Sequence, residues 1–314
     1  MIDIFIPYYG EVGYLRDTVR SVLAQTSPDW RLVILDDNPQ DAEREAEIRS
    51  WLTGLGDERI TYEHNERHLG VSGAFQRCID RANASLVTIL GCDDLLHPRY
   101  VELVLSGHRS VPQADAVQPR VDVIDDLGRS TRPLADRVKG FLEPHGPGIR
   151  VLAGEQLATS LLRGAWHYFP AVCWNRETLR RHGFRQGHET TPDLVLLLEI
   201  ALEGGSFALL DEVAFSYRRH TASASSVNAR NASRFDEECA VFDEFAERCR
   251  ARGWRRAQRA ASLHLTSRAH VLLEAVSAYR GGRRDIGDRL ARLAVRRRAA
   301  KHPGATGADT TDPA

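Results

Sequence analysis

The sequence predicts an α/β protein, a mostly parallel sheet with helices on both faces followed by a helical carboxy-terminal region. Three observations carry this. Short apolar runs alternate with amphipathic segments through the first ninety residues or so, the pattern of βα units joined by right-handed crossovers. Two of those runs end in paired acids, Asp36-Asp37 and Asp93-Asp94. From about Ala232 to Ala300 the chain keeps helical spacing and is rich in arginine.

Taken in order, Ile2 to Pro7 is a first strand closed by proline. Tyr14 to Gln25 places Leu15, Val19, Val22 and Leu23 on one helical face. Arg31 to Leu35 is a second buried strand, Ala42 to Leu55 a charged helix, and Arg59 to Glu63 a third, shorter strand. Gly70 to Ala84 starts with small residues and becomes helical, leading into the strand Ser85 to Leu90. Beyond Asp94 the spacing predicts a helix from His97-Pro98 to Ser106, a strand over Ala116 to Ile124 and a turn at Asp125 to Gly128. Ser130 to Gly154 is rich in Gly, Pro and charge and reads as a long surface loop. Helix Gly154 to Leu162, strand Ala171 to Trp174, helices Arg176 to Arg181 and Asp193 to Leu202, and strand Ala208 to Tyr217 complete the sheet region. The last helices carry a break near Gly281-Gly282. The final residues, rich in Gly, Thr, Asp, Ala and Pro, are expected to be disordered.

Composition narrows the function. The 314 residues carry a formal net charge of −1, which argues against a general nucleic-acid binder. The five cysteines, Cys78, Cys92, Cys173, Cys239 and Cys249, lack CxxC spacing and fit reduced thiols better than a disulfide framework. No leader is expected before Ile2, and no apolar run reaches the length of a membrane span. The expected location is cytoplasmic, at most peripheral at the inner face of a membrane.

The acidic pairs are the most informative feature. Ligands of open α/β sheets bind beyond the carboxyl ends of the strands, where hard oxygen donors suit Mg²⁺ or Mn²⁺. Like charges held close raise one another's pKa unless a ligand relieves them. The alternative is that both pairs simply cap the helices that follow.

Phe5-Ile-Pro-Tyr-Tyr9 with Ser21 to Gln25, then Leu35-Asp-Asp-Asn38, then Leu90-Gly-Cys-Asp-Asp94 resembles, in order and spacing, the amino-terminal half of family 2 inverting glycosyltransferases of the GT-A fold. The resemblance extends over about residues 2 to 226. Three positions depart from the family's pattern. Gly10 stands where asparagine is usual, Gly91 replaces the first acid of the metal motif, and Pro192 replaces the acid before the base.

The resemblance implies a nucleotide-diphosphate sugar as donor partner and a hydroxyl-bearing acceptor, a saccharide, lipid-linked saccharide or small molecule. It makes Asp94 the ligand of Mg²⁺ or Mn²⁺, with Asp93 on ribose or sharing the metal, and Asp36 on the nucleobase. Pro7 and Tyr9 of the opening motif line the nucleotide. Gly70 and Gly73 let the backbone approach the diphosphate. Asp193, at a helix start, matches the base that takes the acceptor's proton, with Glu189 in reserve. There the helix dipole favours its ionised form. His220, in Tyr217-Arg-Arg-His220, is a ligand of metal or phosphate beside Arg218 and Arg219. Trp166 is either an acceptor-stacking ring or core.

The expected organisation is a GT-A domain over 1–228, a helical region over 229–300 and a tail over 301–314. In the helical region Ile286, Leu290, Leu293 and Ala294 form a narrow apolar stripe among arginines. That leaves open a peripheral membrane contact, a homo-oligomer or a helix packed on the domain. An inactive sugar-nucleotide-binding relative or scaffold is the non-enzyme alternative. A nucleotidyltransferase fits less well, because Pro7 to Glu11 lacks a glycine-rich basic loop.

Overall fold

The computed structural model describes residues 1–38, 40–185, 191–220 and 232–295, with side chains omitted for 232–234. The reserve base Glu189 and the tail 301–314 lie outside the described residues. The chain divides into two compact units, Met1–Ser267 and Arg268–Ala314.

In the first unit the alternating pattern folds as expected. β1 (Ile2–Tyr8), α1 (Val12–Leu23), β2 (Trp30–Asp36), α2 (Ala42–Leu55), β3 (Ile60–His64), α3 (Gly70–Arg81) and β4 (Leu86–Ile89) follow one another as βα units. The strands bury nearly every side chain, so they read as apolar runs rather than alternating ones. β5 (Leu95–Leu96), α4 (Tyr100–Ser110) and β6 (Ala116–Ile124) come next, then α5 (Leu134–Leu142), β7 (Arg150–Ala153) and α6 (Gly154–Arg163). After them the chain forms β8 (Cys173–Asn175), α7 (Arg176–His182), α8 (Pro192–Leu202) and β9 (Ser206–Arg218).

Among the described residues the strands make one sheet in the order β3-β2-β1-β4-β8-β6-β9-β5, with β7 also on β9. β3, β2, β1 and β4 run parallel, and so do β6 and β9. β8 is antiparallel to both β4 and β6, so it joins the two parallel blocks. One apolar cluster, with Leu157, Leu161, Trp174, Leu197 and Phe245, covers one face of the sheet. A second, with Ile4, Ile34, Leu15, Val19 and Val104, covers the other.

The long loop expected over 130–154 is corrected by the structure: it contains α5 and β7. α5 keeps Leu134, Val138 and Phe141 at helical spacing, but it is only nine residues long and set in a stretch rich in Gly, Pro and charge, which favours the loop reading. β7 is specified by pairing with β9, a contact that local sequence does not encode.

α9 (Ala232–Ala251) and α10 (Arg255–Leu263) belong to the first unit, where Val241, Phe242, Phe245, Ala246, Cys249, Ala257 and Ala261 join the core cluster. α11 (Leu265–Arg280) runs into the second unit, which also holds α12 (Arg284–Val295). The expected break is there, with Gly282 at φ +74° between the two helices. Leu290, Leu293 and Ala294 of the α12 stripe are buried. Among the described residues no helix is long and apolar enough to cross a membrane.

Candidate active site

Parallel pairing in register brings the ends of β1, β2 and β4 to one edge of the sheet. Tyr8 pairs with Asp36, and Phe5 with Ile89. The segments that follow these strands therefore share that edge.

Asp36 is fully buried and both of its oxygens are engaged. Oδ1 accepts from the backbone N–H and Nδ2 of Asn38, each at 2.9 Å, and Oδ2 accepts from the Tyr62 hydroxyl at 2.5 Å. Burial and this carboxylate push the Tyr62 hydroxyl far above its ordinary pKa. Asp36 thus fastens the turn after β2 to β3.

Its neighbour Asp37, to which the family resemblance assigns no role of its own, fastens the next loop. Its Oδ1 accepts from Asn65 Nδ2 at 2.8 Å and from the Leu69 N–H at 2.9 Å, while His68 Nδ1 is 2.9 Å from Oδ2. The clue was the repeated acid itself. The two carboxylates set the loops around the nucleotide candidates Tyr9, Gly70 and Gly73.

Pro7 lies within β1, and Tyr9 just beyond it is 58% exposed with its ring centroid 5.1 Å from that of His68. Gly10 adopts φ +127° and donates its N–H to Asn38 Oδ1 at 3.0 Å. Such a backbone excludes asparagine's usual conformations and accounts for glycine here. Gly70 opens α3 at φ +70° with open space where a Cβ would stand.

The structure brings Asp93, Asp94 and His220 together. His220 Nε2 lies 2.7 Å from Asp93 Oδ2, and the Arg218 N–H donates to Asp94 Oδ1 at 2.8 Å. Arg218 Nε donates to the Asp93 carbonyl at 2.7 Å, so the end of β9 is clamped onto the acidic turn. Tyr14 underlies both partners, its ring centroid 5.0 Å from the His220 ring and 5.0 Å from the Arg218 guanidinium carbon. Burial and the charge of Asp93 push the Asp94 carboxyl well above the ordinary carboxylate range.

A Cβ at Gly91 would stand 2.5 Å from Asp94 Oδ2 and 3.0 Å from Asp93 Oδ1, so any side chain there, including the first acid of the familiar metal motif, would require the two carboxylates to shift. Among the described residues no three His, Cys, Asp or Glu side chains form a ready cage for a metal ion. The donors nevertheless suit a hard divalent cation that takes its other ligands from phosphate and water. The two carboxylates supply oxygen, and a bound cation would offset the burial and the charge of Asp93 that disfavour the ionised form of Asp94.

Asp193 follows Pro192 in the first turn of α8. Its Oδ2 accepts from His167 Nε2 at 3.0 Å. The side chain keeps 29% of its surface exposed. Burial pushes its pKa up, but the His167 interaction, helped by Lys139 and the Leu194 N–H, outweighs burial and leaves the carboxyl below its ordinary range. That is the ionised form a base needs. His167 closes the segment Gly164 to His167 that the family resemblance places at the acceptor, but its pairing with Asp193, 26 positions on, is not marked by local sequence.

Trp166 is core: it is fully buried and its Nε1 donates to Ser160 Oγ at 3.0 Å. Arg219 turns away from the acidic pair to Asp136 of α5, with Nη2 to Oδ1 at 2.8 Å and Nε to Oδ2 at 3.1 Å. The Tyr168 hydroxyl donates to the same Oδ1 at 2.9 Å.

Comparison with known proteins matches residues 3–164 to the family model Glycosyl transferase family 2. A putative teichuronic acid biosynthesis glycosyltransferase, TuaG of Bacillus subtilis, is 33% identical over 94 residues, 30% of this chain and 36% of that protein. An uncharacterized glycosyltransferase of Methanocaldococcus jannaschii is 28% identical over 129 residues, 41% of this chain and 44% of that protein. The chain thus spans less than half the length of these two relatives.

Among solved structures, the mannosyltransferase PcManGT of Pyrobaculum calidifontis in complex with GDP-Man and Mn²⁺ superposes with a TM-score of 0.58 at 16% identity, covering 94% of this chain and 86% of that one. S. aureus TarS 1–349 gives 0.56 at 11% identity, covering 91% and 88%. These likenesses establish a fold similar to that of GT-A glycosyltransferases. With more than half of its sequence matched to the family model, the chain belongs to Glycosyl transferase family 2.

Proposed function

We propose that the protein transfers a sugar from a nucleotide-diphosphate sugar to an acceptor hydroxyl with inversion at the anomeric carbon. One arrangement carries the reading: Asp93, Asp94 and His220 meet at the turn beyond β4, while Asp193 opens α8 with its carboxylate held by His167. Acids set apart in this way suit two roles, a cation site for the departing diphosphate and a base for the acceptor. The donor-bound complexes of fold neighbours, UDP-GlcNAc in TarS and GDP-Man with Mn²⁺ in PcManGT, support a donor of this class.

In this reading Tyr9 and His68 offer ring surface to the nucleobase, while the turns held by Asp36 and Asp37 fix the loop that carries them. Asp94, Asp93 and His220 would hold Mg²⁺ or Mn²⁺, which when bound would supply positive charge to offset that of the departing diphosphate. Asp193 takes the acceptor's proton as the oxygen attacks the anomeric carbon. The bond from that carbon to the diphosphate oxygen breaks, and the nucleoside diphosphate leaves. His167 holds the carboxylate in place through its Nε2–H.

The test is a thermal-shift panel of nucleoside diphosphates with and without Mn²⁺, followed by a search for transfer activity. Stabilisation that needs both nucleotide and metal is expected. A panel in which no nucleotide stabilises the protein, with or without metal, removes the donor-site assignment.

A further inference from the structure

Apart from Leu142 at its end, which packs against the core, α5 is amphipathic in the reverse sense. Its polar side faces the protein, where the buried Asp136 accepts from Arg219 and Tyr168, and Lys139 donates Nζ to the His167 carbonyl at 3.2 Å while lying 4.5 Å from the Tyr168 ring centroid. Its apolar side faces solvent. Leu134, Val138 and Phe141 follow one another at positions i, i+4 and i+7 and so share one face, with exposures of 60%, 42% and 86%. A surface helix normally buries that stripe, so this one is shaped to be covered by something else.

Charge indicates the cover. Arg132, just before α5, and Arg137, beside the stripe, are both exposed. Among the described residues no ion-pair partner meets either guanidinium, whereas Arg129 nearby is paired with Asp125 at 3.0 Å. Three apolar side chains on a nine-residue helix offer far less than the ~800 Å² per partner of a stable protein interface. They do suit a bilayer surface, where apolar side chains enter the acyl boundary and cations rest among anionic headgroups.

We propose that α5 docks the protein onto an anionic lipid surface through Leu134, Val138 and Phe141, with Arg132 and Arg137 in the headgroup layer. The docking surface stands independently of the glycosyl-transfer reading. Combined with that reading, it selects an acceptor held at the bilayer, because the polar side of the same helix reaches His167, the partner of Asp193.

The experiment is vesicle flotation of the full chain, which needs no turnover. The vesicles are phosphatidylcholine alone, or phosphatidylcholine with about a third phosphatidylglycerol. Flotation is expected with the anionic vesicles and is expected to weaken as salt rises. Phe141→Asp and Val138→Asp each reduce it about tenfold or more, and Arg132→Gln with Arg137→Gln reduces it on anionic vesicles only. Thermal unfolding near that of the parent protein establishes that these surface variants fold. The proposal is overturned if the parent protein floats with neither vesicle. It is also overturned if both aspartate variants float as the parent does, which moves lipid contact elsewhere, such as the exposed Leu272, Leu273 and Val276 of α11. A dimer in sedimentation that Phe141→Asp dissociates overturns it as well, making a second copy the cover.

Discussion

His167 Nε2 stands 3.0 Å from Asp193 Oδ2, and this bond holds the carboxyl below its ordinary range although burial alone would raise it. A carboxylate with a depressed pKa contributes stability above its unfolded pKa, and that contribution is lost as pH falls through its folded value. His167→Gln removes the main lowering influence, so the acid limb of the kcat/KM profile is expected to move to higher pH. The variant should also lose stability near neutral pH, and the gap should close in acid. An unmoved acid limb would mean that Asp193 is not the titrating base.

Asp193→Asn keeps the shape of the side chain and removes its basicity. Turnover is expected to fall by ~10²–10⁴, while stabilisation by nucleoside diphosphate with Mn²⁺ is retained. Equal loss of both would assign Asp193 to donor binding.

At the acidic turn the sign reverses. Asp94 is raised by burial and by Asp93, so its charged form opposes folding, increasingly as pH rises toward its folded pKa. Asp94→Asn keeps an acceptor for the Arg218 N–H and removes the buried charge. Without ligands this variant is expected to be ~1–2 kcal/mol more stable near neutral pH. The same variant should lose metal-dependent stabilisation by nucleotides. Chemical unfolding at several pH values measures the first effect and thermal shift the second.

Gly91 turns a departure from the family's pattern into a steric statement. A Cβ there would meet Asp94 Oδ2 at 2.5 Å, so Gly91→Ala is expected to cost ~1–3 kcal/mol through displacement of the acidic pair. Gly91→Asp should be worse, since it adds a third like charge. Gain of metal affinity in Gly91→Asp would contradict this geometry.

Most of the fold was legible because local pattern and tertiary role coincide. β1, β2 and β4 are buried on both faces, so Ile2, Leu32 and Val87 sit in apolar runs that nothing else explains. α5 was illegible because it is short and set among Gly, Pro and charge, although Leu134, Val138 and Phe141 keep helical spacing. Within the site, the juxtaposition of Asp93 with His220 followed from motif order. The engagement of Asp36 with Tyr62, and of Asp193 with His167, did not. Each of those pairs spans 26 positions and depends on how two elements meet. The sequence marked candidate acids without showing which of them spend their oxygens on the scaffold.

The same distinction makes the Asp136–Arg219 pair informative. Asp136 is almost wholly buried, and Arg219 leaves the acidic turn to meet it with two hydrogen bonds. The pair therefore ties α5 to the end of β9, two positions from Tyr217 and next to Arg218, which itself closes on Asp93 and Asp94. Breaking a buried pair leaves an uncompensated charge, while the partial exposure of Arg219 moderates the cost. Arg219→Met should thus cost ~2 kcal/mol and appear first as faster hydrogen exchange in α5. Exchange in β1 and β2, whose ladder does not involve this pair, should stay at the parent rate. Uniform acceleration across the sheet would mean that Arg219 supports the whole fold and not this helix.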